Sequence, residues 1–151
     1  MKVIALNRRA KHDYEIIERF EAGLVLAGHE VKSIKQGHVS LKGSFIHLRN
    51  NEAYLENCHI RRYTLATQLA NYEPTQSRKL LLNRKELDIL QIAKRAEGMA
   101  IVPTAIGVTR GLVKLEIAIG RGRKRYDKRQ AARAKAMQND ASLEAKARLK
   151  R

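Results

Sequence analysis

Residues 113–119 alternate with a period of two. Val113, Leu115, Ile117 and Ile119 are large and apolar, and Lys114, Glu116 and Ala118 separate them. Successive side chains of an extended chain point to opposite faces, so this pattern predicts a strand with one buried face. Thr109-Arg110-Gly111 stands immediately before it, with Gly111 free to take a positive φ. Residues 99–108 are then the antiparallel partner. Pro103 lacks an N–H for the ladder, which places it at a sheet edge or a bulge.

The same signals recur upstream. Residues 44–49 and 52–59 read as a second hairpin around Asn50-Asn51, a pair suited to a two-residue turn. Residues 14–20 and 23–26 supply one or two more strands, and 80–82 a sixth. Two helices interrupt them. Asn83 followed by Glu86 resembles a capping box; Leu87, Leu90 and Ala93 or Lys94 follow at helical spacing, and Gly98 ends the helix. A shorter helix covers residues 30–36, with Val31 and Ile34 on one face and Gly37 as terminator. The pattern predicts a mainly β fold: a small closed or nearly closed antiparallel barrel with two or three flanking helices, of the kind that binds oligonucleotides on a basic face.

Charge divides the chain. The formal net charge is +16 over 151 residues, but residues 1–120 hold +7 of it and residues 121–151 hold +9. After Tyr126 the only large apolar side chains are Met137, Leu143 and Leu149. Such a segment cannot bury enough surface to offset the entropy of ordering itself. We therefore expect a body at 1–120 and a basic tail at 121–151. Ala131, Ala132, Ala134 and Ala136 favour helix, so the tail is expected to be disordered alone and helical against a polyanion. The single cysteine, Cys58, leaves no intramolecular disulfide and fits a reducing cytoplasm. The longest apolar run, residues 22–28, falls far short of the roughly 20 residues of a membrane span, and residues 3–6 are too few for a signal-peptide core. The expectation is a soluble cytoplasmic protein with an anionic partner.

Little in the sequence suggests catalysis. His12, His29, His38, His47 and His59 lack the paired spacing of a zinc site, and one cysteine cannot build a thiolate cluster. His12-Asp13 could be a base with its orienter, but neighbours in a strand point apart. Gly120-Arg121-Gly122-Arg123 lacks the frame of a nucleotide-binding loop. The run from Arg121 to Arg125 instead offers bidentate phosphate donors on a flexible backbone. Tyr126, set among cations, is a candidate for base stacking. No catalytic residue, metal ligand, cofactor or small-molecule substrate is expected. Structured RNA suits the chain better than duplex DNA, because no helix resembles a major-groove reader.

Taken in order, several segments match one family. Asn7-Arg8-Arg9-Ala10-Lys11-His12-Asp13-Tyr14, Glu21-Ala22-Gly23, Glu30-Val31-Lys32-Ser33, Arg78-Lys79-Leu80-Leu81-Leu82 and Tyr126-Asp127-Lys128-Arg129 together resemble the bacterial SsrA-binding proteins, the small protein B family. The resemblance implies a barrel related to the oligonucleotide-binding fold, no enzymatic activity, and a part in trans-translation. Members bind the tRNA-like part of transfer-messenger RNA and bring it to ribosomes stalled on truncated messages. By that similarity Glu30, Lys32, Asn57, Arg78, Lys79 and Lys124 would contact RNA. Physically, Lys32, Arg78, Lys79 and Lys124 can neutralise phosphates, while Glu30 and Asn57 can hydrogen-bond bases and 2′-hydroxyls. Glu30 could otherwise simply complement a helix dipole. The tail, from Tyr126, Asp127, Lys128 and Arg129 onward, would engage ribosomal RNA at the decoding site and message channel. A monomer without a membrane partner is expected. His29 departs from the family's usual threonine, and Gly122-Arg123-Lys124 from its usual Gly-Lys-Lys.

Three other readings compete. A ribosomal protein or general RNA chaperone would bind any structured RNA alike. A small ribonuclease using His12 and Glu30 would cleave it. A membrane-surface binder would need Trp or Phe on an apolar face of the tail, which is missing.

Overall fold

The computed structural model describes residues 1–64 and 71–123. In chain order the elements are β1 (Lys2–Leu6), α1 (Arg8–Asp13), β2 (Tyr14–Leu24), α2 (Gly28–Lys35), β3 (Val39–Ser40), β4 (Phe45–Arg49), β5 (Glu52–Glu56), β6 (His59–Ile60), β7 (Arg78–Leu81), α3 (Arg84–Arg95), β8 (Met99–Thr109) and β9 (Leu112–Gly122). Seven strands make one antiparallel sheet in the order β1-β8-β9-β2-β7-β5-β4; β3 and β6 form a separate pair.

Both expected hairpins form around their turn residues. Val108 faces Val113 and Thr109 faces Leu112 across Arg110 and Gly111, whose φ angles are 52° and 80°. Asn50 and Asn51 likewise take φ of 51° and 62° between β4 and β5. Two successive left-handed residues twist in the sense of the flanking strands, which is why such turns close tight hairpins. Pro103 sits at a register shift, and the ladder resumes at Ala105. Residues 14–24 are one continuous strand rather than two. The strand expected over 52–59 is broken: Asn57, at φ 57°, ends β5, and His59 turns away to pair with Ser40. α3 starts at the expected Asn83, whose side chain accepts from the Glu86 N–H at 2.8 Å while Glu86 accepts from the Asn83 N–H.

Among the described residues the expected closed barrel is not found; the sheet is open, with β1 and β4 at its ends. Backbone geometry around Pro103 gives the reason. β1 follows β8 only from Val108 to Ala105, and the Asn7 N–H then bonds the Thr104 carbonyl. The Asn7 side chain donates to the Pro103 carbonyl at 2.8 Å, and the chain leaves as α1. The edge of β8 at 99–102 is left facing Phe45 and Ile46 of β4 across a cleft of about 490 Å³. β1 and α1 were not anticipated from the sequence.

The main core packs against the sheet, and a smaller cluster lies apart from it. Val113, Leu115, Ile117 and Ile119 are buried as the alternation requires, with Phe20, Leu55, Leu80, Leu90 and Ile106 against them. Ala118 was expected to face outward, but Ala10 of α1 covers it together with Val102. No described helix is long and apolar enough to cross a membrane.

Candidate nucleic-acid interface

The six expected RNA contacts do not share one fate. Glu30 and Arg78 are buried, 2% exposed each, and face one another inside the body. Arg78 Nη2 lies 2.7 Å from Glu30 Oε2, and Nε donates to the same oxygen at 2.8 Å. Arg78 also donates to the carbonyls of Cys58 and Pro74 and to the Tyr72 hydroxyl. Glu30 accepts further bonds from Tyr72 Oη, Gln76 Nε2 and the Ala27 N–H that begins α2. A phosphate arriving from solvent cannot reach Arg78 without undoing this network. Direct phosphate contact by Arg78 and base contact by Glu30 therefore do not fit their placement. A buried charge is tolerated only when paired and hydrogen-bonded, and this network pairs both. The dipole role considered for Glu30 is present as well, through the Ala27 bond near the helix start.

Electrostatics agree. Burial alone would raise the Glu30 carboxyl, but the Ala27 bond, the Arg78 bonds and charge, and the Tyr72 hydroxyl outweigh it and hold it below the usual range. Tyr72 is pushed up to about 12 by burial and by the Glu30 charge beside it. Burial likewise takes the Cys58 thiol to about 11, so it stays a neutral thiol at physiological pH.

The ion pair fixes what stands next to it. Lys32 lies two positions after Glu30 on the exposed face of α2, and Lys79 directly follows Arg78 on the outer face of β7. Joining Glu30 to Arg78 thus sets the relative position of two outward cations. Lys32 Nζ stands 5.6 Å from the centre of the Tyr63 ring. Lys79 Nζ lies 3.0 Å from Glu52, an exposed contact whose hydrogen bond and charge raise the lysine and lower the glutamate from their usual ranges. Such a surface pair exchanges readily for a phosphate. Asn57 is exposed, and its amide donates to the Gly43 carbonyl at 3.1 Å.

Two cations escaped sequence reasoning. Arg61 and Arg62 are exposed beside Tyr63, and the Ser33 hydroxyl donates to the Arg61 carbonyl, which ties them to α2. The signal was there: an Arg pair next to a tyrosine is the interleaving that singled out Tyr126. His12 and Asp13 end a helix rather than occupying a strand, and His12 Nδ1 lies 3.1 Å from Asp13 Oδ1 on the surface. Lys124, Tyr126, Asp127, Lys128, Arg129 and the expected tail helix lie outside the described residues. Among the described residues no cluster of three or more His, Cys, Asp or Glu could hold a metal ion.

Comparison with known proteins adds a family. Residues 4–147 match the model of the SmpB protein family. The chain is 48% identical over 132 residues to an SsrA-binding protein of Halalkalibacterium halodurans, covering 87% of this chain and 85% of the relative. It is 42% identical over 149 residues to one of Shouchella clausii, covering 99% and 95%. A solved structure described as "tmRNA-SmpB: a journey to the center of the bacterial ribosome" is similar with a TM-score of 0.67 and 41% identity, over 85% of this chain and 94% of that one.

Proposed function

The chain belongs to the SmpB family of SsrA-binding proteins, and from that premise we propose that it binds transfer-messenger RNA and delivers it to stalled ribosomes in trans-translation. The observation that carries this reading is the match of nearly the whole chain to SsrA-binding proteins at more than 40% identity. It acts in the cytoplasm, where ribosomes are, and as a binding protein rather than an enzyme.

The body, residues 1–120, grips the tRNA-like part of the RNA. Lys32, Lys79 and Lys124 neutralise phosphates, and Asn57 hydrogen-bonds sugar or base. Arg61 and Arg62 extend the cationic face around Tyr63. Glu30 and Arg78 act as positioning residues, holding α2 and β7 together so that Lys32 and Lys79 meet a preformed RNA contour. The tail, residues 121–151, engages ribosomal RNA through Tyr126, Asp127, Lys128, Arg129 and the cations beyond them. It becomes helical in the decoding site and message channel, the entropy cost being offset by charge-assisted contacts and released counterions.

The test is a deletion of residues 130–151. The truncated protein should bind transfer-messenger RNA with near-unchanged affinity and fail to support tagging on stalled ribosomes. Loss of RNA binding would overturn the division between body and tail. Equal binding to bulk tRNA and ribosomal RNA competitors would favour a general RNA chaperone instead.

A further inference from the structure

The cleft that keeps the sheet open, between β4 and the first residues of β8, carries apolar surface with nothing described upon it. Tyr14, Phe45, Ile46, Met99 and Ile101 line its volume of about 490 Å³. Phe45 is 51% exposed there, a ring that a further apolar group can cover. Arg9 and Lys94 line the cleft as well, and neither forms an ion pair with a described residue. Asp13 is the one carboxylate among the lining residues, and the His12 ring stands 3.1 Å from it. The cleft therefore suits an aromatic side chain accompanied by an acid.

The described chain ends at the rim of this cleft. The Gly122 N–H donates to the Gly98 carbonyl at 2.8 Å, and the Arg123 N–H to the Asp13 carbonyl at 2.9 Å. Asp13 and Met99, which follows Gly98, both line the cleft. Arg123 Nε is buried there with no hydrogen-bond partner among the described residues. Such a donor calls for an acceptor, and the carbonyls of the residues that follow are the nearest in sequence. Three residues on stands Tyr126, the only aromatic residue of 124–151, and Asp127 comes next. Three extended residues span roughly 10 Å, so the ring is within reach. A tether this short gives it an effective concentration on the order of millimolar, and a small contact area suffices.

We propose that, in the protein free of RNA, the cleft is the docking site of the chain's own residues 124–127. The Tyr126 ring lies against Phe45 and Met99, and the Asp127 carboxylate beside Arg9 and Lys94. The contact ties the start of the tail to the edge that the sheet leaves open. Engagement of ribosomal RNA by these two residues then exchanges one set of contacts for another. The docked state is read without RNA, so its test does not depend on the proposed function.

Full-length protein carrying Gln130→Cys takes a nitroxide at that position alone, since Cys58 is buried. Without RNA, the methyl signals of Ile46, Met99 and Ile101 should be lost and should return when the nitroxide is reduced. Those of Val108 and Val113, roughly 30 Å away at about 3.4 Å per residue along β8, should be unchanged. Adding Tyr126→Ala should restore the cleft signals, and so should Phe45→Ser in a protein that keeps its melting temperature. Unperturbed cleft signals in the first protein would overturn the proposal. So would an equal loss at Val108 and Val113, or a loss that persists in either variant. Loss between molecules, with nitroxide and methyl label carried on different copies, would place a second copy in the cleft and overturn it too.

Discussion

The Glu30–Arg78 pair is the residue whose chemistry most constrains the body. Glu30→Gln leaves Arg78 buried without its counter-charge, which costs about 3–5 kcal/mol for pairs of this kind. Denaturant unfolding should show that loss. Adding Arg78→Met should return part of it, a coupling on the order of 1–3 kcal/mol, because the orphaned charge is then gone. Acid should act through the same carboxyl. Its folded pKa lies below the ordinary 4.5, so its contribution is fully present above about pH 4.5 and is lost as pH falls through the folded value. Stability measured from pH 6 downward should fall more steeply for wild type than for Glu30→Gln; parallel curves would refute the assignment. The network was illegible in the sequence. Glu30 and Arg78 looked like surface charges, and nothing local to either announces Tyr72, Cys58 or Pro74 as partners. The outward placement of Lys32 and Lys79 was legible, although nothing local to Lys79 announces its surface partner Glu52.

At the level of elements, legibility followed the turns. Asn50-Asn51 and Arg110-Gly111 are short-range signals, and both hairpins formed where they stand. Asn83 and Glu86 are another, and α3 begins there. β1 has no such signal. Lys2 to Leu6 neither alternates nor is bounded by a turn, and it becomes a strand only because β8 offers an edge. The close approach of β1 can be tested at Gly107, where an added Cβ would collide with the Lys2 carbonyl. Gly107→Ala should detach β1 while the β8–β9 ladder survives. Amide exchange should then speed up for residues 2–6 and stay slow for 113–119; uniform acceleration would mean that β1 is integral to the sheet. The opening of the barrel belongs to this scale too. Pro103 was legible as an interruption, but its consequence depends on where Asn7 caps the β8 carbonyls, a contact 96 positions away.

For the whole molecule, the formal charge divides into +7 on residues 1–120 and +9 on residues 121–151. Substituting Lys32→Gln and Lys79→Gln together should leave the fold intact and lower the salt slope for tRNA-like RNA by about 1.4–1.8, at roughly 0.7–0.9 per phosphate. An unchanged slope would move the interface elsewhere on the body. The family was legible in ordered motifs; the expected division into a body and a basic tail rests on composition, and residues 124–151 lie outside the described residues. What composition left out is that some cations are consumed inside: Arg78 counts toward the net charge of +16 but has no free surface to offer. The most direct measurement is sequencing of the RNA that copurifies with the protein from cells. Transfer-messenger RNA should be strongly enriched over its cellular share, together with ribosomal RNA that is lost when residues 130–151 are removed. A copurifying pool that mirrors total tRNA and ribosomal RNA, with no enrichment of transfer-messenger RNA, would contradict the proposed role.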